Sequence, residues 1–212
     1  MTWIKICGIT NIPDAKLACS LGADALGFIF APSTRKVNPK IAQEIIKDLP
    51  FDVEKIGVFM DEDIKVVQEI AEYCGLTGLQ FHGKESPKYC KNFAKYKVIK
   101  SFRIKEEQDL EKTNDYLENV DLILLDTYVP AVPGGTGKTF PWEIARKQVG
   151  GGVPVIIAGG INASNVNKAI RVASPFGIDI GSGVESEPGK KDKEKLSKLF
   201  KTLNSKEEMR YE

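Results

Sequence analysis

Polar and titratable side chains recur at the carboxyl ends of short apolar segments in this sequence. They alternate with apolar neighbours and include a thiol, an imidazole and two carboxylates: Lys5 and Cys7, Gln80 and His82, Asp126, and Asp179. Burying such groups is costly unless a ligand or a partner satisfies them, so the pattern predicts a binding site. A thiol and a carboxylate in one site could act as a base and an acid on the same ligand.

Two glycine clusters follow the last two apolar segments, at residues 158–162 and 181–183. Glycine allows backbone N–H groups to approach an anion closely, which makes such clusters suitable for binding phosphate. The predicted phosphate-binding residues are Gly159, Gly160, Gly181, Ser182 and Gly183. Either cluster alone could be only a tight turn, but both together favour a phosphorylated ligand.

A third glycine-rich segment, residues 134–139, matches no nucleotide-binding motif. A Walker A motif would require glycine where the chain has Val132, and the dinucleotide-binding pattern fails at Phe140. We interpret this segment as a loop, hinged at Gly135 and Gly137, that closes over the ligand.

Strands and helices are predicted to alternate along the whole chain. Eight short runs rich in Ile, Val and Phe predict strands, at residues 3–7, 25–30, 55–60, 78–81, 97–102, 121–126, 153–158 and 177–180. Capping residues and apolar spacing predict helices between them, at residues 14–21, 40–47, 61–74, 87–93, 105–117, 142–148, 163–172 and 192–203. Such alternation indicates parallel strands joined by right-handed crossovers.

Eight strand–helix units predict a single, small (β/α)8 TIM barrel with short loops, because open doubly wound sheets usually have fewer strands. Residues 1–203 would form the barrel, and residues 204–212, which are almost entirely polar, a frayed tail. In this fold the carboxyl ends of the strands carry the site, and phosphate binds after strands 7 and 8. The charged run at 190–201 is expected to be a solvated helix face.

Composition narrows the class of partner. The 212 residues carry 30 Lys+Arg against 29 Asp+Glu, a net charge of +1, so we expect neither a nucleic acid nor a membrane as partner. The four cysteines form no C-x-x-C pair, and one histidine leaves few ligands for a metal site. Free thiols and the lack of a signal-like N-terminus favour a cytoplasmic protein that binds a small molecule.

Several motifs, taken in order, resemble those of phosphoribosylanthranilate isomerase from Lys5 to about Lys193. They are Lys5-Ile6-Cys7-Gly8-Ile9-Thr10, Gly27-Phe28-Ile29-Phe30 with Ser33-Thr34-Arg35, Gln80-Phe81-His82-Gly83, Leu125-Asp126-Thr127, Gly134-Gly135-Thr136-Gly137 with Phe140 and Trp142, Ala158-Gly159-Gly160-Ile161, and Asp179-Ile180-Gly181-Ser182-Gly183-Val184-Glu185. Each glycine motif is weak alone, but their order and their positions at strand ends make the set specific.

The resemblance implies an activity. Members of this family isomerise N-(5′-phosphoribosyl)anthranilate to 1-(2-carboxyphenylamino)-1-deoxyribulose 5-phosphate, a cofactor-free Amadori rearrangement in tryptophan biosynthesis. By resemblance, Cys7 is the general base, Asp126 the general acid, and Arg35 the partner of the anthranilate carboxylate. Gln80, His82 and Asp179 are further expected substrate contacts.

The expected acid and base need suitable surroundings. Strands 1 and 6 are not neighbours in an eight-stranded ring, so Cys7 and Asp126 could flank one small ligand from different sides. An unperturbed thiol is a poor base at neutral pH, and Lys5 is the expected group that favours the thiolate. Asp126 must hold a proton to act as an acid, which burial or a nearby Asp179 would promote.

Two other classes of function remain open from the sequence. One is another phosphate-handling barrel, such as a pentulose-phosphate epimerase or an indole-forming lyase, although a single histidine disfavours a metal-dependent epimerase. The other is a non-catalytic phosphate binder, which would not need both Cys7 and Asp126. Gly181 stands where the family commonly has serine and could alter phosphate affinity. Monomer and homodimer are both compatible with the composition.

Overall fold

The structure is a computed structural model that describes residues 2–127 and 141–208. The strands in these ranges are β1 (Trp3–Cys7), β2 (Ala25–Ile29), β3 (Glu54–Phe59), β4 (Gly78–Phe81), β5 (Lys97–Ile104), β6 (Leu122–Thr127), β7 (Val155–Ile157), β8 (Gly177–Ile180), β9 (Glu185–Glu187) and β10 (Lys190–Lys191). The α-helices are α1 (Ile12–Leu21), α2 (Pro39–Lys47), α3 (Ile64–Cys74), α4 (Pro87–Cys90), α5 (Trp142–Gln148), α6 (Val166–Ala173) and α7 (Lys193–Glu208). Segments Lys91–Phe93, Glu107–Tyr116 and Ser182–Val184 are 3₁₀ helices.

Strands β1 to β8 form a closed parallel barrel in sequence order, which confirms the predicted (β/α)8 fold. Each strand pairs with the next, and β8 pairs with β1 to close the ring. This closure sets Lys5 opposite Asp179 across neighbouring strands. Residues far apart in the chain therefore meet at one end of the barrel.

The barrel strands are buried on both faces, because their side chains alternate between two apolar layers. The barrel interior is filled by a cluster of Ala25, Ile56, Ile99, Leu122, Leu124, Ile156 and Ala158. The opposite faces, with residues such as Ile6, Leu79 and Ile123, pack against the helices in a larger core. The interior layer lies below the polar residues at the strand ends and supports them.

Helix ends follow local capping chemistry. Asn11 caps α1 by accepting the Asp14 N–H at 2.9 Å, and Gly22 ends the helix in the left-handed conformation. Asn38 caps α2, where Pro39 occupies the first turn. These are the signals that predicted both helices.

The largest differences between the structure and the predicted elements are three. The segment expected as a helix at 105–117 is a 3₁₀ helix, Glu107–Tyr116. An antiparallel hairpin, β9 and β10, was not predicted and lies between β8 and the last helix. Helix α7 extends to Glu208, so the tail expected from residue 204 begins with helical residues. In the described residues no helix is long and apolar enough to cross a membrane.

The interior layer should dominate stability. Ile156 is fully buried inside the barrel, so Ile156→Ala should lower the free energy of unfolding by about 2–5 kcal/mol. Ile41, which is half exposed on α2, provides the control. Ile41→Ala should change the free energy of unfolding by less than about 0.5 kcal/mol. Urea denaturation followed by circular dichroism measures both, and equal losses would contradict the assignment of the interior core.

Candidate active site

One cavity lies at the carboxyl ends of the barrel strands and encloses about 860 Å³, part of it open to solvent. Eleven of the predicted site residues line it: Cys7, Arg35, Gln80, His82, Asp126, Gly159, Gly160, Asp179, Gly181, Ser182 and Gly183. The other two, Gly135 and Gly137, lie outside the described residues. The strand ends thus bring together groups that are scattered along the chain.

Cys7 and Lys5 share the inner face of β1, and a neighbouring carboxylate holds the lysine. Lys5 Nζ donates to Asp179 Oδ2 at 2.9 Å, and the Lys5 side chain is fully buried. Burial by itself would lower the pKa of Lys5, but the charge of Asp179 and, to a lesser degree, Cys7 raise it above its ordinary value. Lys5 therefore stays protonated beside the thiol.

The thiol of Cys7 is less acidic than an ordinary cysteine thiol. Burial raises the pKa of Cys7 above its ordinary value, and the cations Lys5 and Lys191 only partly oppose this effect. Lys5 acts in the predicted direction, since it lowers the pKa of Cys7, but burial has the larger effect. The resting thiol is mainly protonated at neutral pH.

Lys191 was missed by the sequence analysis. Its side chain is buried, contrary to the expectation that the run 190–201 is a solvated helix face, because β10 turns it toward the barrel mouth. Its ammonium group donates to the Cys7 carbonyl oxygen at 2.5 Å and to Glu185 Oε1 at 2.8 Å. Lys191 therefore links the backbone of Cys7 to a second buried carboxylate.

That carboxylate, Glu185, also holds Arg35. Arg35 Nε donates to Glu185 Oε1 and Oε2 at 3.0 and 2.9 Å, and Arg35 Nη2 donates to Oε2 at 2.7 Å. Burial would raise the pKa of Glu185, but Arg35 and Lys191 lower it below its ordinary value. Glu185 therefore stays ionised and orients one edge of the guanidinium group, while Arg35 lines the cavity.

Asp126 is the last residue but one of β6 and lies in a confined position. Its Oδ1 accepts the N–H of Thr127 at 2.7 Å, and its Oδ2 lies 3.5 Å from His82 Nε2. Gly159 has φ +87°, and a Cβ atom there would lie 2.7 Å from Asp126 Oδ1 and 2.2 Å from Thr127 Oγ1. Gly159 therefore leaves room for the carboxylate, in addition to its predicted place in a phosphate-binding cluster.

The predicted further contacts carry polar atoms without hydrogen-bond partners among the described residues. These atoms are Gln80 Oε1, His82 Nε2 and Asp179 Oδ1, and all three are buried. Gln80 Nε2 lies 3.3 Å from His82 Nδ1, so the two side chains orient each other. Buried polar atoms normally have partners, so these three are suited to the hydroxyl groups of a ligand.

The two glycine clusters meet and form one surface. A Cβ atom on Gly183 would lie 1.9 Å from the carbonyl oxygen of Ile161, so only glycine permits this approach of the two loops. The carbonyl oxygen of Gly160 accepts bonds from the amides of Asn162 and Asn165, which fixes the first loop. A Cβ atom at Gly181 would meet only the Cys7 carbonyl oxygen, at 3.8 Å, so the serine common in the family would fit there.

Apolar side chains form part of the cavity wall, which the sequence analysis did not identify. They come from the ends of β2 and β3 and from the loop that carries Arg35: Ile29, Ala31, Pro32, Val58 and Met60. Alternation along these strands was the available signal, since Ile29 and Val58 stand on their inward faces. The wall suits a flat apolar group. Among the described residues, no cluster of His, Cys, Asp or Glu could hold a metal ion.

The sequence of this chain matches that of a known protein family over most of its length. The family profile described as N-(5'phosphoribosyl)anthranilate (PRA) isomerase matches residues 4–202. The chain belongs to this isomerase family. An N-(5'-phosphoribosyl)anthranilate isomerase of Desulforudis audaxviator is 47% identical over 203 residues, which cover 95% of this chain and 97% of that relative.

Solved isomerase structures share the whole fold. The phosphoribosyl anthranilate isomerase of Thermotoga maritima superposes with a TM-score of 0.91 at 39% identity, over 97% of this chain and all of that one. A phosphoribosyl anthranilate isomerase in complex with reduced 1-(o-carboxyphenylamino)-1-deoxyribulose 5-phosphate superposes with a TM-score of 0.85 at 36% identity, over 97% and 100% of the two chains. The resemblance found in the motifs therefore extends across the isomerase barrel.

Lys5 should control the reactivity of the Cys7 thiol. Lys5→Met removes a charge that lowers the pKa of Cys7 and leaves Asp179, which raises it, so the thiolate fraction at neutral pH falls. Alkylation of Cys7 by iodoacetamide, followed by mass spectrometry of its peptide, should be at least about tenfold slower. Cys19, half-buried on α1, is an internal control whose alkylation rate should not change. An unchanged Cys7 rate in a folded variant would contradict this electrostatic assignment.

Proposed function

We propose that this protein isomerises N-(5′-phosphoribosyl)anthranilate to 1-(2-carboxyphenylamino)-1-deoxyribulose 5-phosphate in tryptophan biosynthesis. The observation that carries the proposal is that the Cys7 thiol and the Asp126 carboxylate line the same cavity in a chain of the isomerase family. A protein that only binds a phosphorylated ligand needs no such pair. The reaction is an internal redox exchange in which C1′ is reduced and C2′ is oxidised, so it needs no outside oxidant or reductant.

Asp126 is the proposed general acid. It donates a proton to the furanose ring oxygen, the bond from that oxygen to C1′ breaks, and the ring opens to a protonated Schiff base at C1′. The Thr127 N–H on Oδ1 orients the carboxyl group, which leaves Oδ2 as the oxygen nearer His82. A positioned acid of this kind contributes about 10² to 10⁴ to a rate.

Cys7 is the proposed general base. The positive Schiff base acidifies the hydrogen on C2′, the thiolate takes that proton, and the electron pair of the C–H bond moves to form the enolamine. Tautomerisation of the enolamine then gives the ketone. Lys5 and Lys191 support this role because both oppose the effect of burial on the pKa of Cys7.

The remaining cavity residues suit the two ends of the substrate. Arg35 is proposed to bind the anthranilate carboxylate, with Glu185 holding the opposite edge of its guanidinium group, and the apolar wall contacts the aromatic ring. The joined clusters around Gly160 and Ser182 are proposed to bind the phosphate through backbone N–H groups. The buried atoms of Gln80, His82 and Asp179 that have no partner within residues 2–127 and 141–208 are proposed to bind the sugar hydroxyls.

Closure of a loop at Gly135 and Gly137 stays a prediction, as do a cytoplasmic location and the absence of nucleic-acid partners. Monomer and homodimer also remain alternatives for the assembly.

Replacing either reacting group should abolish most of the activity. Cys7→Ala and Asp126→Asn should each lower kcat by a factor of about 10² or more, because each removes one of the two proton transfers. The decay of substrate fluorescence after addition of enzyme, with freshly generated N-(5′-phosphoribosyl)anthranilate, measures the rate. Cys19→Ala, which changes a thiol that does not line the cavity, should keep wild-type activity.

An inactive wild-type protein that is well folded would contradict the proposed reaction. The cavity would then belong to a non-catalytic phosphate binder or to a barrel that acts on another phosphorylated metabolite. Full activity in either Cys7→Ala or Asp126→Asn would instead contradict the assigned acid and base.

Arg35 should contribute mainly to substrate binding. Arg35→Lys loses the planar donor that binds Glu185 on one edge and the substrate carboxylate on the other, so KM should rise about tenfold. The change in kcat should be smaller, about threefold or less, because Arg35 does not exchange protons with the substrate. Arg171→Lys, on the exposed side of α6, is the matched control. A loss confined to kcat would contradict this role.

A further inference from the structure

A buried ion pair lies next to the cavity, and neither the proposed acid nor the proposed base uses it. Lys100 on β5 and Glu85, just before α4, are joined by a contact of 3.1 Å between Nζ and Oε2, and both side chains are almost fully buried. Removing two charges from water is costly, and hydrophobic residues in their place often stabilise a fold equally well. Stability alone therefore does not explain this ion pair, and the groups that it binds are the place to look for its role.

The pair binds the backbone on both sides of His82. Lys100 Nζ donates to the carbonyl oxygens of Phe81 and Gly83 at 3.2 and 2.8 Å. Glu85 accepts the Gly83 N–H at 3.0 Å through Oε2 and the Asp61 N–H at 2.8 Å through Oε1. Hydrogen bonds to ionised groups are stronger than neutral ones, so the segment 81–83 is firmly fixed.

The ring of His82 projects from this fixed segment into the cavity. Its Nδ1 lies 3.3 Å from Gln80 Nε2, and its Nε2 lies 3.5 Å from Asp126 Oδ2. The second distance is too long for a hydrogen bond, and Nε2 has no other partner among the described residues. A shift of about half an ångström would complete the contact, and catalytic hydrogen bonds often shorten in this way when a substrate binds.

We propose that Lys100 and Glu85 are positioning residues that hold the imidazole of His82 beside Asp126 while the acid transfers its proton. The structural part of this proposal concerns His82 alone. The expected effect on catalysis rests on the proposed function, because Asp126 is the general acid in that reaction. A residue displaced by about 1 Å can cost up to about a hundredfold in rate.

The test uses Lys100→Met/Glu85→Gln, which removes both charges together. A single replacement would leave one buried charge unpaired, whereas the amide oxygen introduced by Glu85→Gln can still accept a backbone N–H. The control, Lys97→Met/Glu54→Gln, removes a partly exposed pair at the other end of β5. Should the first variant unfold, Glu85→Asp is used, because it keeps both charges but shortens the side chain that accepts the Gly83 and Asp61 N–H groups.

The first measurement does not depend on activity. His82 is the one histidine of the chain, so protein labelled with ¹⁵N-histidine gives the signals of a single imidazole by NMR. These signals should shift or broaden in the Lys100/Glu85 variant and in Asp126→Asn, and stay at the wild-type position in the Lys97/Glu54 control. Wild-type signals in a folded Lys100/Glu85 variant would overturn the proposal.

The second measurement is kinetic. The Lys100/Glu85 variant should lose about tenfold in kcat with KM changed by less than about threefold, and the same change in a His82→Asn background should have no further effect. An equal loss in both backgrounds would show that the pair does not act through His82 and would overturn the positioning role. If wild-type protein does not turn over the substrate, the proposed function fails, and the NMR result still decides whether the pair positions His82.

Discussion

The pairing of β1 with β8 is the constraint on which the rest of the site depends. It closes the barrel and sets Lys5 directly opposite Asp179, so the cation inside the barrel has a carboxylate partner at 2.9 Å. Without that register an ammonium group would lie in the interior unpaired, which is costly enough to oppose folding. The same register sets Cys7 at the strand end. The same strand pairing therefore closes the barrel and places the charged neighbours of the proposed base.

A buried salt bridge between a lysine and a carboxylate occurs at three places around the barrel mouth. Three buried lysines are each paired with one carboxylate, and each pair contacts a different part of the cavity wall: Lys5 with Asp179, Lys191 with Glu185, and Lys100 with Glu85. The first lies beside the Cys7 thiol, the second holds Arg35, and the third holds the segment that carries His82. Because breaking a buried pair is far more costly than breaking a surface pair, these cavity residues are held in place even without substrate.

Much of the fold was predictable because it depends on local signals. Alternating strands, caps such as Asn11 and glycines such as Gly22 are read within a few residues, and they predicted most elements within a few positions. The site was predictable as a set of strand ends, but its pairings were not. Lys5 and Asp179 are separated by 174 positions, and only the closed register brings them together. Lys191 could not be told from its solvated neighbours, since the hairpin that buries it has no clear signal in a charged segment.

The raised pKa of Cys7 has a consequence for its proposed role. A base must be deprotonated to act, yet a thiolate of very low pKa would be too weak to take a proton from carbon, so the best value lies near the working pH. Burial and Asp179 raise the pKa of Cys7, while Lys5 and Lys191 lower it. Two of these three neighbours, Lys5 and Asp179, form a salt bridge with each other. A ligand that contacts Asp179 Oδ1, which has no hydrogen-bond partner in the described part of the chain, would therefore also change the electrostatic field at the thiol. In the proposed reaction, a substrate contact at Asp179 would therefore act on proton abstraction by Cys7, both directly and through Lys5.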